Sequence, residues 1–398
     1  MFNLNLSARL LHLFLLIIGI SVGVFFTLCL KSLSFSIFPC PLPTTFPLPP
    51  SISMPPPPPP ENPPPVVKAI PLASNGTLKF NDTNIIDVSS ENDFPTKSSG
   101  LVRMHNMSDD ELLLRASRVQ EETNIAGKVA FMFLTPGPLP LAPFWDMFFK
   151  GHEGLYSIYV HTHPSYNDSV PQDSAFYGAR IPSQPVYWGT ISMIDAERRL
   201  LANAFLDSSN QRFVLLSDSC IPVFNFTTVY NYLMVTNHSF LGLFDDPRKM
   251  GRGRYNRQMW PTITIEQWRK GSQWFEIHRN LAVKIVSDTK YYQIFRDFCK
   301  PPCYSDEHYL ATLVNILGPE MNSNRTITWV DWSRGGPHPK RFGWIDVKIE
   351  LLDYIRFGSE CVYNGNTSNV CHIFARKFIP NTLGPLLKLA PSLLGFDP

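Results

Sequence analysis

The segment Cys303-Tyr-Ser-Asp-Glu-His308 sets two acids and a histidine directly before the apolar stretch Tyr-Leu-Ala-Thr-Leu-Val. Ser305 or Asp306 can cap a helix there, which would put Glu307 in its first turn. An acid in that position complements the helix dipole. The same carboxylate could instead serve as a general base. The dipole lowers its pKa, whereas a base works best nearer the working pH. The residue pattern leaves both roles open.

Basic residues follow at Arg356 and at the pair Arg376-Lys377. No aspartate is followed two residues later by another, so the D-x-D pair that holds a metal on many sugar-nucleotide diphosphates is missing. A leaving diphosphate would then need lysine or arginine for charge stabilisation. Arg376-Lys377 reads equally as a solvated basic surface. The chain has no G-x-G-x-x-G, no G-x-x-x-x-G-K-[ST] and no G-x-S-x-G. Dinucleotide, P-loop and α/β-hydrolase chemistry therefore lose support. His161-Thr-His163 has the spacing of a metal pair, but a lone H-x-H is more often incidental. Tryptophans and tyrosines from Tyr255 to Trp274, and at Trp329 and Trp332, suit sugar stacking or simple core packing.

Three short apolar runs without alternation have the pattern of strands buried on both faces. They are Lys128 to Leu134, Leu155 to His161 and Arg212 to Ser217. Helical patterns cover Leu141 to Lys150, Ser192 to Leu206 and Thr227 to Val235. A capping box at Ser108-Asp-Asp-Glu111 opens another, expected to run to about Thr123. Strand–helix alternation of this kind predicts a parallel α/β sheet. Ligands bind such sheets at the carboxyl ends of the strands. That rule selects the loops at Thr135, His161 and Ser217-Asp218-Ser219.

The first hundred residues indicate where such chemistry would take place. A stub, residues 1–9, precedes an apolar run over residues 10–30, about the length that crosses a ~30 Å hydrocarbon core. The run is too long for a signal peptide and lacks an A-x-A-like cleavage site, so a signal anchor is expected. Residues 31–106, with the unbroken run Pro55 to Pro60, read as an extended stalk. A single domain is expected over 107–398. N-x-[ST] triplets begin at Asn75, Asn81, Asn106 and Asn167, and again at Asn225, Asn237, Asn324 and Asn366. These eight of the chain's nine such triplets follow the apolar run, with only Asn5 before it, which argues that this side is luminal. Six cysteines lie beyond the run, an even set that suits disulfides. Cys299 and Cys303 read as a bridge, or as members of two bridges, rather than a metal pair. The net charge of +2 suggests no nucleic-acid partner.

Read in order, several segments carry a resemblance. They are Lys128-Val-Ala-Phe-Met-Phe-Leu-Thr, Phe149-Lys-Gly-His-Glu-Gly-Leu-Tyr-Ser-Ile-Tyr-Val-His, Leu216-Ser-Asp-Ser-Cys-Ile-Pro222, Ser305-Asp-Glu-His308 and His372-Ile-Phe-Ala-Arg-Lys-Phe378. Together they resemble the plant branch of the core-2/I-branching enzymes, glycosyltransferase family 14. The resemblance implies a GT-A-like, Rossmann-type mixed sheet flanked by helices, in a type II Golgi membrane protein. It implies inverting transfer from a UDP-sugar to a glycan, glycoprotein or polysaccharide hydroxyl, with no metal and no other cofactor. Glu307 would be the base. Arg356 and Lys377 would hold the diphosphate, and Thr135 and His161 the uridine. Asp245, Asp246, Arg254, Trp274 and Trp188 would meet the acceptor. N-acetylglucosamine, glucuronic acid, xylose and galactose all stay open as donor sugars. A homodimer is among the assemblies open to it.

A rival reading is a catalytically silent relative that serves as a scaffold or anchor for cell-wall polysaccharide synthesis. A secreted carbohydrate-binding protein is a third, and it predicts a cleaved N-terminus. Retention of Glu307, Arg356 and Lys377 favours an enzyme, because a scaffold has no need of them.

Overall fold

Val129 to Phe133 are wholly withdrawn from solvent, as an apolar run covered on both faces must be. A computed structural model of the chain describes residues 104–120 and 126–396. The chain divides into two units, residues 1–92 and 93–398, and every described residue belongs to the second. The expected stub, the anchor at residues 10–30 and nearly all of the stalk lie outside the described residues. Among the described residues no helix is long and apolar enough to cross a membrane.

The central strand is β1 (Lys128–Leu134). It pairs in parallel with β2 (Tyr156–His161) on one side and β3 (Asn210–Ser217) on the other. The short β5 (Glu276–His278) closes the far edge antiparallel to β3. The sheet order is therefore β2-β1-β3-β5, a mixed sheet. The chain leaves β1 towards one side and then returns to the other. This makes the carboxyl ends of β1 and β3 the topological switch point, where open α/β sheets form their crevice.

Two helices cover the faces. Helix α2 (Ala142–Phe149) begins with a proline in its first turn and turns Phe144, Trp145, Phe148 and Phe149 inward. Of these rings, Trp145, Phe148 and Phe149 pack edge-to-face on Phe131, and Trp145 also on Phe133. Helix α3 (Ser192–Phe205) lies against β1 and β2. Helix α1 (Asp109–Ala116) packs on it, capped by Ser108 Oγ, which accepts from Glu111 N at 3.3 Å. This helix ends earlier than its pattern suggests. Ser117 Oγ donates to the Leu114 carbonyl, and the last amides tighten to i+3 partners.

A second sheet, in the order β4-β9-β6, joins β4 (Ile221–Pro222), β9 (Phe374–Arg376) and β6 (Thr328–Val330). It brings the C-terminal part of the chain to the end of β3, where Phe378 N donates to Ser219 O at 2.9 Å. The hairpin of β7 (Cys361–Tyr363) and β8 (Asn366–Ser368) turns through Asn364-Gly365, both at positive φ. The remaining helices are α4 (Phe226–Met234), α5 (Arg279–Val286), α6 (Lys290–Phe298), α7 (Ser305–Leu317), α8 (Ile349–Phe357) and α9 (Leu383–Leu389).

The cysteines divide. Cys299 bridges Cys303, and Cys361 bridges Cys371. Cys220 stays a buried thiol, against the even pairing expected, and its Sγ accepts from Ser217 N. Of the six described sequon asparagines, Asn106, Asn167, Asn237, Asn324 and Asn366 are exposed. Asn225 is half-buried because its Oδ1 caps α4, accepting from Thr228 N at 2.9 Å.

Candidate active site

Helix α7 starts differently from its sequence pattern. Tyr304, not Ser305 or Asp306, is the N-cap, and no side chain caps the helix. Ser305 Oγ donates instead to Thr190 O. Glu307 does stand in the first turn, its side chain 30% exposed. Its Oε2 accepts from Arg254 Nη1 and from Lys270 Nζ. Burial alone would raise this carboxyl, but Lys270 and Arg254 outweigh it and hold it below the ordinary value. Glu307 is thus an ionised carboxylate with one side open to solvent.

Aromatic rings wall this corner. The Arg254 guanidinium lies 4.6 Å from the centre of the Tyr304 ring. Tyr304 in turn meets Trp188 at 5.0 Å. Trp188 is 61% exposed, and its other neighbour is His338 at 5.7 Å. The adjacent Gly189 sits at φ +76°, where glycine is favoured, and a Cβ there would meet the Tyr304 ring at 2.9 Å.

Residues 270–274 connect this corner with the basic residues. Lys270 is fixed through its backbone, which exchanges two hydrogen bonds with Phe244. Gly271 N donates to Glu307 O at 2.7 Å. A Cβ on Gly271 would come within 2.3 Å of Gly242 O, so only glycine fits this approach. Gln273 Nε2 donates to Glu197 Oε1 at 2.9 Å. Trp274 is buried and carries the Arg376 guanidinium on its face at 3.9 Å.

Arg376 ends β9, and Lys377 follows beside the Ser217-Asp218-Ser219 turn at the end of β3. Burial lowers the Lys377 pKa, and Arg376 and Arg341 lower it further, while Asp218 opposes them. Three cations therefore converge where one acid offsets them. The buried Nε of Arg376 has no hydrogen-bond partner. An excess of positive charge at the carboxyl end of β3 suits a phosphate-bearing ligand.

The other expected site residues are placed as follows. Thr135 follows β1 at the switch point, buried, with its Oγ1 directed to Gly137 O and Pro138 O. The His161 ring is fully buried and 3.0 Å from Arg199 Nη1, so it does not face the crevice. Burial and Arg199 push its pKa down to about 3. His163 pairs with Ser165 instead, so the H-x-H spacing brings no two rings together. Arg356 is tied to Leu393 O and Asp353, with its guanidinium over Phe224 and Phe357. Asp245 and Asp246 are held within their own loop by Arg252 and Arg248. Trp274 faces Arg376 rather than solvent.

Sequence reasoning missed Lys270, which bonds Glu307 beside Arg254, and Tyr304, whose ring lies against Arg254. Lys270 lies 37 positions before its partner. The available signal was Lys270-Gly271 within the aromatic-rich stretch, where a glycine marks a close backbone approach.

Comparison with known proteins places the chain among relatives. A family model described as Core-2/I-Branching enzyme matches residues 129–356. Glu307 falls inside that stretch, and Arg376-Lys377 lie beyond it. The glycosyltransferase BC10 of Oryza sativa subsp. japonica is 35% identical over 297 residues, covering 63% of this chain and 73% of that protein.

Proposed function

We propose a function from one premise: this chain belongs to the core-2/I-branching enzyme family, and it is a glycosyltransferase. The finer reading is inverting, metal-independent transfer from a UDP-sugar to a hydroxyl of a glycan, glycoprotein or polysaccharide. The observation that carries it is the half-open Glu307 carboxylate, linked by residues 270–274 to the cations at Arg376-Lys377.

In this reading the acceptor hydroxyl attacks the anomeric carbon as the bond to UDP breaks. Its proton passes to Glu307. Lys377 and Arg376 stabilise the charge that develops on the departing diphosphate. Lys270 and Arg254 keep Glu307 ionised before the acceptor arrives, at a cost in basicity. Trp188 and Tyr304 offer rings on which an acceptor sugar can lie. The reading further places the protein in the Golgi membrane, anchored by residues 10–30 with the catalytic unit luminal. Five exposed sequon asparagines and two disulfides support an oxidising, glycosylating compartment.

The test uses the full chain, made through a secretory pathway and purified in detergent. UDP release is measured across a panel of UDP-sugars with EDTA present. One donor should be hydrolysed slowly. Glu307→Gln should lower turnover by about 10²–10⁴-fold while UDP binding, measured by calorimetry, persists. Near-normal turnover in that variant would remove Glu307 from the mechanism. Activity lost to EDTA and restored by manganese would overturn the metal-free reading.

A further inference from the structure

A cleft of about 300 Å³ opens at the amino end of β3, the end away from the Ser217-Asp218-Ser219 turn. Its place follows from His278, which lines it and pairs with Arg212 where β5 meets the start of β3. The other walls are Asn280 and Leu281, at the start of α5, and Glu320 and Met321, after α7. Small-molecule sites run from about 300 to 1,000 Å³, so this one has room for a single small unit. The transfer reaction makes no use of it.

Asn237 completes the wall, and its side of the residue is exposed. It opens the triplet Asn237-His238-Ser239. The triplet is fixed to the rest of the cleft. Ser239 N donates to Met321 O at 2.8 Å, Ser323 N to Ser239 O at 2.9 Å, and His278 N to Ser239 Oγ at 3.0 Å. Arg212 Nη1 donates to His238 O at 2.9 Å. The walls are therefore preformed, and a group carried on Asn237 starts at the mouth of the cleft.

The lining is polar with spare capacity. Among the described residues, no hydrogen bond occupies the side chains of Asn237, Asn280 or Glu320. His278 Nδ1 accepts from Asn280 N at 3.1 Å, which leaves the other ring nitrogen as the donor of a neutral imidazole. Leu281 and Met321 add an apolar surface. Donors, an acceptor and a small apolar patch in one cleft match an acetamido sugar.

We propose that Asn237 carries an N-linked glycan whose first N-acetylglucosamine seats in this cleft and becomes part of the folded wall. Sugar hydroxyls donate to Glu320, the acetamide carbonyl accepts from the Asn280 amide, and the acetamide methyl lies on Leu281 and Met321. The covalent tether makes the contact intramolecular, so a weak sugar site is enough to hold it. On attachment, a bond forms between Asn237 Nδ2 and the anomeric carbon as that carbon's bond to a lipid diphosphate breaks. The amide proton passes to solvent. Attachment precedes folding of this region, because Ser239, the hydroxyl member of the triplet, is wholly buried in the finished fold. The proposal rests on the luminal reading above.

The test uses the full chain made through a secretory pathway. Asn366, exposed on the β7–β8 hairpin, is the control. Peptide mass spectrometry should find Asn237 glycosylated. Bare Asn237 beside an occupied Asn366 would overturn this proposal alone, whereas no glycan at any triplet would overturn it together with the luminal reading. An amidase that cuts the asparagine–sugar bond should act on native protein at Asn237 at least about tenfold more slowly than at Asn366, with equal rates after denaturation. Equal rates on native protein would overturn the seat. Asn237→Gln should lower Tm by about 2–4 °C, and Asn366→Gln should leave it near wild type. Trimming the glycan down to its first sugar should keep the wild-type Tm. An unchanged Tm in Asn237→Gln, or a fall on trimming, would overturn the structural role of that sugar. Should Asn237→Gln fail to accumulate, the amidase comparison on wild type decides the matter.

Discussion

The two ends of the main sheet handle charge in opposite ways. At the amino end of β3, Arg212 donates to Glu276 at 3.1 and 3.3 Å and to His238 O at 2.9 Å, with Thr236 O taking another donor. Both side chains are at most 1% exposed. At the carboxyl end, Arg376 keeps a buried Nε without a partner, Lys377 has Asp218 as its opposing charge, and Glu307 is open on one side. A charge that serves the fold is matched inside the protein. In the proposed reading, a charge that serves a ligand keeps donor or acceptor capacity for it.

This contrast breaks most visibly at the closed end. Arg212→Ala leaves Glu276 buried without its cation, which should cost about 3–5 kcal/mol of stability. Thermal unfolding should register it as a large fall in Tm, or the protein should fail to accumulate. A variant as stable as wild type would mean that the pair is not structural. At the open end, Lys377→Ala should leave Tm nearly unchanged. It should weaken UDP binding by about 1.5–3 kcal/mol, the range for hydrogen bonds to charged groups. Calorimetry that finds UDP affinity intact would take Lys377 out of the diphosphate site.

A smaller effect sharpens the comparison through pH. Lys270 helps to hold Glu307 below its ordinary pKa. A base must be ionised to act, so removing Lys270 raises the pH at which activity begins. The acid limb of kcat/KM should move to higher pH in Lys270→Gln. An unmoved limb would mean that the limb reports another group.

The strands and main helices were legible because each is a local pattern. Val129 to Phe133 form an apolar run that only two-sided burial explains, and Trp145, Phe148 and Phe149 recur at helical spacing. The place of Glu307 in the first turn of α7 was legible because an acid pair there precedes an apolar helical stretch. What escaped depends on pairs formed across the chain. Lys270 and Glu307 are 37 positions apart, and Arg212 and Glu276 are 64 apart. No local pattern marks such a meeting. Burial of a polar side chain is equally silent, since nothing around His161 or Arg356 in the sequence distinguishes a tethered side chain from one that faces a ligand.

The tryptophans Trp188 and Trp274 carry the same lesson, because the sequence grouped them as sugar-facing rings. Trp274 is 6% exposed and occupied by Arg376, whereas Trp188 is 61% exposed with one face against Tyr304. Trp188→Ala should therefore raise the acceptor KM by a factor of about 2–10, the equivalent of about 0.5–1.5 kcal/mol for an aromatic contact. Its kcat, UDP affinity and Tm should stay near wild type. Trp274→Ala should do the reverse and reach the acceptor little, since it removes the surface on which Arg376 rests and so weakens UDP binding. If Trp188→Ala weakened UDP and spared the acceptor, the ring would belong to the donor side, and the acceptor would have to approach Glu307 from the Asp245-Asp246 loop.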